Sequence, residues 1–309
     1  MVAIAYVNGR ICNQQDALIS VFDHGFLFGD GVYEVVRTYN GELFLLERHV
    51  ARLRTSAHMI ALPLPVDDAG LERAIRDTMK AFADGPGSGA SNANVYVRIL
   101  VTRGLGDGSY NPASSPSSSL VIIVKALTPP PASAYEQGVK VSLVPIVRNH
   151  PGSVNPLIKS NNLLNNALAM QEALRHGAFE AILRNYRGDI AECSQSNLFV
   201  VKNGIAKTPR LAEGLLAGIT RAFIMDVAQE AGVAVEDAVL LDEDVFAADE
   251  AFLTSTTREI VPIVRVDDRV VANGSPGPVT KRLLEAYRLK ANQLTRQPAP
   301  NPQSLTPNP

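Results

Sequence analysis

The sequence predicts an α/β fold (α+β, with strands and helices mixed), on three observations. Strands with period-two alternation interleave with helical stripes along most of the chain. A proline run, Thr128-Pro129-Pro130-Pro131-Ala132-Ser133, interrupts the pattern near the middle. The 309 residues, 46% of them hydrophobic, suit two domains of about 150 residues or one large one. Taking the proline run as a boundary predicts a smaller N-terminal domain at 1–127, a linker at 128–138 and a larger domain at 139–290. A proline-rich tail, expected to be disordered, follows at 291–309.

The elements follow in order. Met1 to Val7 reads as a short strand into an Asn8-Gly9 turn, with no basic segment, apolar stretch or cleavage site of a signal peptide, so a cytoplasmic location is expected. From Val32 to Tyr39, Tyr33, Val35 and Arg37 share one face of a strand. Glu47 to Ile60 places Val50, Leu53, Ala57 and Ile60 at helical spacing, with Arg52 on the shoulder of the stripe. Asp84 to Asn94 is a loop. Val95, Val97, Ile99 and Val101 alternate with Tyr96, Arg98, Leu100 and Thr102, so a strand turns an arginine away from its valines. Gly104 to Ser119 is a loop long enough to cover a site. Beyond the linker, Leu163, Ala167, Met170 and Leu174 form a helical stripe ended by Gly177, with Lys159 just before it.

Charge and motifs narrow the function. Lys and Arg number 29 against 31 Asp and Glu, a net charge of −2 with both signs scattered, so no basic face is available for a nucleic-acid backbone. Apolar runs such as Leu120 to Val124 and Leu198 to Val201 are far shorter than the roughly 20 residues that span a bilayer. Cys12 and Cys193 are too few for a disulfide framework or a zinc site, and the histidines show no metal-ligand spacing, so no metal is expected. Gly104-Leu105-Gly106-Asp107-Gly108 lacks the third glycine and the following helix of a dinucleotide fingerprint. No P-loop or nucleophile elbow occurs.

Four short segments carry chemistry. Gly218-Ile219-Thr220-Arg221 opens an apolar stripe of Ile219, Ala222, Phe223 and Val227; the free N–H groups of a helix start and the Thr220 hydroxyl suit a phosphate. Thr254-Ser255-Thr256-Thr257, after the apolar Ala251-Phe252-Leu253, offers hydroxyls at a strand end, a second anion cradle. Lys159 is an amine that an apolar setting would make nucleophilic. Glu192, between Ala191 and Cys193, is a carboxylate that would be costly if buried unpaired. Taken singly, the first is a helix start, the second a polar turn and the third a solvated lysine.

Together with Asp23-His24-Gly25-Phe26-Leu27-Phe28-Gly29-Asp30-Gly31-Val32-Tyr33-Glu34, His49-Val50-Ala51-Arg52-Leu53, Ile158-Lys159-Ser160 and Ser196-Asn197-Leu198-Phe199, they form a series that resembles the class IV aminotransferases in order and spacing over about Ile4 to Leu289. These are pyridoxal 5'-phosphate (PLP) enzymes of fold type IV, among them branched-chain aminotransferases, D-amino acid transaminases and aminodeoxychorismate lyases. The resemblance implies a cofactor between two domains. It makes Lys159 the catalytic residue, joined to the cofactor aldehyde as a Schiff base and then moving the proton at the substrate Cα. It sets Glu192 against the pyridine nitrogen and Arg52 on the phosphate, with Gly218, Ile219, Thr220, Ser255 and Thr256. Ser196 and Asn197 complete the implied cofactor set, and Phe28, Tyr33, Val35, Arg37, Tyr96, Arg98, Thr256 and Thr257 the implied substrate set.

Within the family, the branched-chain aminotransferases are similar in having a Tyr and an Arg for carboxylate binding where Tyr96 and Arg98 stand. The implied reaction is transamination of branched-chain, hydrophobic L-amino acids with 2-oxoglutarate, giving 2-oxo acids and L-glutamate by a ping-pong scheme. Val35, Phe28 and Leu164 depart from that subfamily, which has Gly, Tyr and Tyr there. D-amino acid transaminases are the alternative, since Gly29 to Val36 and Ser255-Thr256-Thr257 are similar to theirs, but Gly108-Ser109-Tyr110 stands in place of their Arg-x-His carboxylate trap. Aminodeoxychorismate lyases are less similar, and a non-enzymatic PLP carrier would keep Lys159 but have no use for Tyr96 and Arg98. Family analogy also implies a homodimer, the Gly104 to Ser119 loop reaching toward the neighbouring subunit's pocket. Arg258 has no assigned role.

Overall fold

In the computed structural model, which describes residues 2–85 and 94–296, the alternating segments up to Ala126 pair into one six-stranded antiparallel sheet. Its strands are β1 (Ala3–Val7), β2 (Arg10–Asn13), β3 (Gly31–Tyr39), β4 (Glu42–Leu43), β5 (Val95–Thr102) and β6 (Ser119–Ala126), in the order β2-β1-β6-β5-β3-β4. Three helices accompany them: α1 (His24–Phe28), α2 (Leu46–Met59) and α3 (Asp68–Asp84). Register sorts the two faces. Val32 lies opposite Val101 and Val36 opposite Val97, buried in one core with Leu53 of α2 and Ile75 of α3. Val35 lies opposite Arg98, and Tyr33 opposite Leu100, on the other face.

The remaining strands build a nine-stranded mixed sheet: β7 (Val139–Val147), β8 (Glu180–Arg184), β9 (Ile190–Cys193), β10 (Asn197–Lys202), β11 (Ile205–Pro209), β12 (Val235–Ala238), β13 (Glu250–Ser255), β14 (Glu259–Val266) and β15 (Arg269–Val270). Their order is β12-β11-β10-β13-β14-β7-β8-β9, with β15 beside β14, and β7 runs parallel to both of its neighbours. The helices of this part are α4 (Ala132–Glu136), α5 (Leu164–Arg175), α6 (Ile219–Glu230), α7 (Asp242–Phe246) and α8 (Pro278–Leu294). Among the described residues no helix is long and apolar enough to cross a membrane.

Three local expectations change, and the 104–119 loop is given a packing partner. The proline run is not irregular throughout: extended Pro131 leads into α4, which Tyr135 anchors by donating its hydroxyl to the Arg258 carbonyl at 3.1 Å. On α5 the predicted stripe does not form the core face. Ala169 and Ala173 are buried against β7 and β8, while of the stripe Ala167 and Leu174 are exposed and Leu163 and Met170 only half-buried, because close approach to the sheet admits only small side chains. The α8 helix continues past position 290 to Leu294, since Ala291 and Thr295 are buried and the Thr295 hydroxyl donates to the Ala291 carbonyl at 2.8 Å. The 104–119 loop folds back on α1, with Gly106 against the His24 ring and Ser115 Oγ 3.4 Å from His24 Nδ1. Residues 86–93 of the predicted Asp84–Asn94 loop, and 297–309 of the predicted tail, lie outside the described residues.

The two sheets are joined by aromatic side chains. Phe44, next to β4, meets Tyr39 of β3, Phe223 of α6 and Tyr287 of α8 edge-on, with ring centroids 5.1, 5.1 and 6.0 Å away. Beside it, Glu259 accepts hydrogen bonds from Arg37, Tyr39 and Arg288 at 3.1, 2.7 and 2.7 Å. Phe44→Ala should lower unfolding stability by about 3–5 kcal/mol, the loss typical of deleting a buried aromatic ring; a denaturant midpoint within error of wild type would show that this cluster does not hold the halves together.

Candidate active site

A cavity of about 440 Å³ opens between the face of the first sheet that carries Tyr33, Val35, Tyr96 and Arg98 and the strand ends of the second. Lys159 enters it because its own backbone is added to the first sheet. The Lys159 carbonyl accepts from Tyr33 N at 2.9 Å, Asn161 N donates to the Gly31 carbonyl at 2.8 Å, and Lys159 N donates to Ser56 Oγ of α2 at 3.1 Å. Gly31 permits this approach, as a side chain there would run into the Asn161 amide and the Val101 carbonyl. The Lys159 ammonium then lies 4.6 Å from the centre of the Tyr33 ring, and the Arg98 guanidinium 4.2 Å from the same centre. Neither cation has a carboxylate partner among the described residues.

One end of the cavity is built for an anion. The α6 helix starts at Ile219 with Gly218 as its cap and no side chain bonded to its first turn, so the N–H groups of that turn are unengaged where Gly218, Ile219 and Thr220 line the cavity. Gly218 is required there, since a β-carbon would overlap Asn197 Oδ1. Arg52 faces the same end and donates to the Ala217 carbonyl at 2.8 Å. It also donates twice to Glu34, at 2.6 and 2.8 Å, and His49 Nδ1 lies 2.7 Å from the same carboxylate. Thr254 also lines the cavity, and its buried hydroxyl has no partner among the described residues. An uncapped helix start and a guanidinium at one end together fit a phosphate dianion.

The other residues hold an acid in place. Glu192 accepts from Arg148 Nε at 2.7 Å, Leu216 N at 3.1 Å and Asn197 Nδ2 at 3.4 Å, so its buried charge is paired and oriented. Ser196 donates its hydroxyl to Glu180 at 3.0 Å, and Asn197 also donates to the Leu216 carbonyl at 3.1 Å. Both side chains are thus engaged in shaping the wall. Arg258 gains a role here: it pairs with Glu180, which also receives the Gln195 N–H, and so pins the 194–196 turn. Burial pushes the Glu180 carboxyl up, against the lowering effect of Arg258 and these donors.

Of the residues singled out in the sequence, Arg52, Lys159, Glu192, Ser196, Asn197, Gly218, Ile219, Thr220, Ser255, Thr256, Thr257, Tyr33, Val35, Tyr96 and Arg98 line this one cavity. Phe28 and Arg37 do not. Phe28 sits on α1 between the His24 and Tyr110 rings, 5.0 Å from each. Arg37 shares the face of Tyr33 and Val35 but lies about 6–7 Å further along the strand, where the second sheet covers it; it is buried against Glu259 and stacks 4.0 Å from the Tyr39 ring. Sequence reasoning gave no role to Glu34 and His49, which it quoted only as motif members, and passed over Ser56 and Arg148. Two signals were available: His49, Arg52 and Ser56 recur at i, i+3 and i+7 on one helix face, and Glu34 falls on the core side of its strand, where a carboxylate needs a cation.

Known proteins resemble this chain in sequence and fold. The sequence model of the family described as amino-transferase class IV matches residues 31–266. A Methanocaldococcus jannaschii protein provisionally named branched-chain-amino-acid aminotransferase is 35% identical over 92% of this chain and 94% of its own. The D-alanine aminotransferase of Listeria innocua is 38% identical over 90% and 92%. Among solved structures, the branched-chain amino acid aminotransferase of Escherichia coli superposes with a TM-score of 0.87 at 31% identity, covering 93% of this chain and 94% of that one.

The buried Glu34–His49–Arg52 group makes stability depend on pH in one direction. Burial lowers the basicity of His49 below its ordinary 6.5, with Glu34 opposing and the Arg52 and Lys159 charges adding to the fall. Burial alone would raise the Glu34 carboxyl, but Arg52 and His49 hold it well below its ordinary 4.5. In both cases the unfolded chain takes up the proton first, so both contributions are present above the ordinary values and are lost on acidification. The urea midpoint should therefore fall below about pH 6.5 and again below about pH 4.5. His49→Gln, which keeps a donor for Glu34, should remove the first fall; an unchanged first fall in that variant would assign it to another group.

Proposed function

The chain belongs to the class IV aminotransferases, and within that family we propose that it is a PLP-dependent transaminase of branched-chain, hydrophobic L-amino acids and 2-oxoglutarate, yielding 2-oxo acids and L-glutamate. One observation carries this reading: two cations without carboxylate partners among the described residues, Lys159 and Arg98, share the Tyr33 ring inside one cavity. One is the amine such chemistry requires, the other a receptor for a carboxylate held away from the reacting carbon.

Lys159 would hold the PLP aldehyde, Glu192 its ring nitrogen, and Arg52, Gly218, Ile219, Thr220, Ser255 and Thr256 its phosphate. When bound, PLP supplies an aldehyde to take up the amino group and a ring that draws off the electron pair left when Cα loses its proton. Lys159 Nζ, once its amine is free, accepts that proton and returns it on the way to the product. Glu192 holds a proton at the ring nitrogen, its charge kept in position by Arg148, Asn197 and the Leu216 N–H. Arg98 receives the γ-carboxylate of glutamate or 2-oxoglutarate. Val35, opposite Arg98 on the neighbouring strand, offers apolar surface when the side chain is that of leucine or isoleucine. An apolar wall beside a cation suits both substrates of the exchange.

The second reading is a D-amino acid transaminase, favoured by the identity to the Listeria innocua protein. The 108–110 segment weighs against it, because Gly108-Ser109-Tyr110 carries no cation and Tyr110 packs on Phe28, outside the walls of this cavity. We further propose a cytoplasmic homodimer. The exposed apolar series Leu18, Val21, Phe22 and Phe26 supports the dimer, as water-facing side chains of this kind mark contact surfaces.

Lys159→Ala should abolish transamination and, in the borohydride-treated protein, the pyridoxyl mass on the peptide containing residue 159; full turnover in the variant would remove Lys159 from the chemistry. Arg98→Ala should impair 2-oxoglutarate and glutamate by about 1.5–3 kcal/mol in kcat/KM, the worth of a charged hydrogen bond, and leucine less. Equal losses would place Arg98 on the α-carboxylate instead. Assay of L-leucine, L-isoleucine and D-alanine should give turnover with the first two; turnover with D-alanine alone would select the D-amino acid reading.

A further inference from the structure

We infer that Glu34 and His49 are positioning residues for the cofactor phosphate, acting only through Arg52. This rests on the reading of the cavity as a PLP site. Neither side chain lines the cavity, and both are buried, with 0% and 1% of their surface exposed, so neither can touch a bound molecule. Glu34 touches the Arg52 guanidinium, His49 and the N–H of its neighbour Val35 at 3.3 Å, and His49 reaches Arg52 only through Glu34. Arg52 engages three of its five N–H groups, two on Glu34 and one on the Ala217 carbonyl. Two remain for an external anion.

The geometry of this group answers a specific problem. Arg52 sits on α2, in the first half of the chain, whereas the uncapped helix start at Gly218 belongs to the second. A free arginine side chain samples many rotamers, and an anion would have to immobilise it on binding. The two parallel bonds to Glu34 remove that freedom beforehand, and the bond to Ala217 ties the guanidinium to the residue just before Gly218. His49 in turn engages Glu34 Oε2, so the carboxylate cannot rotate away from Arg52. The result is a guanidinium set in place before the phosphate arrives.

The test compares PLP with pyridoxal, which has no phosphate, as ligands of the full chain after removal of its cofactor. Glu34→Gln puts an amide NH₂ where Arg52 needs an acceptor. It should raise the Kd for PLP about tenfold and leave the Kd for pyridoxal within about twofold of wild type. Arg52→Lys should show the same selective loss, and adding Glu34→Gln to Arg52→Lys should cause no further change, because the carboxylate then has no guanidinium to orient. Glu34→Asp, which keeps the charge, should recover part of the selectivity. If Glu34→Gln does not fold, His49→Phe, which leaves Glu34 Oε2 without that donor, is read in the same way and should shrink the ratio of the two constants. Equal weakening of both ligands would make the group merely structural, and unchanged or tighter PLP binding would likewise overturn the inference. Failure of the wild-type chain to bind PLP would be a different result, sinking the cofactor reading and this inference with it.

Discussion

Everything at the cavity depends on the short backbone pairing between Lys159–Asn161 and the edge of β3 at Gly31–Tyr33. These hydrogen bonds carry a residue from the second half of the chain onto the outward face of the first sheet. They require a glycine at position 31, because two backbones and an amide converge there. Once this contact forms, the amine lies over Tyr33, and Arg98 two residues along the neighbouring register reaches the same ring. The edge pairing places the amine, and the β3–β5 register places the second cation at the same ring.

Charge placement completes the site. Among the described residues five buried carboxylates are each paired with an arginine: Glu34 with Arg52, Glu180 with Arg258, Glu192 with Arg148, Glu213 with Arg187 and Glu259 with Arg37. Burying an unpaired carboxylate would be costly, so each acid needs such a partner or, like Glu250, N–H and O–H donors. The acids are distributed so that some arginines are consumed internally and Arg98 is not. A wall arginine that engages no internal carboxylate is a standing demand for an anion from outside, and that demand distinguishes a binding surface from a structural ion-pair network.

Much of this was legible beforehand. Alternation in β3 and β5 places Tyr33, Val35, Tyr96 and Arg98 on one face without reference to any partner, since side-chain direction along a strand is a local property. The helix start at Gly218 and the hydroxyl turn at Ser255 are local too. Less legible were the residues whose meaning depends on a counterpart far away in sequence. Arg37 has the right parity for the cavity, yet Glu259 claims it 222 positions later. Arg148 shows nothing of its role until Glu192 is beside it.

Sequence alone determined the strands, the helix starts, the order of the chemical motifs and the family to which they point, because these follow from local periodicity and from residue types at set spacings. Tertiary structure decided which arginines remain open, which face of α5 turns inward, where α8 ends and how Arg52 is held. Those outcomes turn on pairing and burial between segments distant along the chain, and neither periodicity nor composition records which carboxylate will meet which cation.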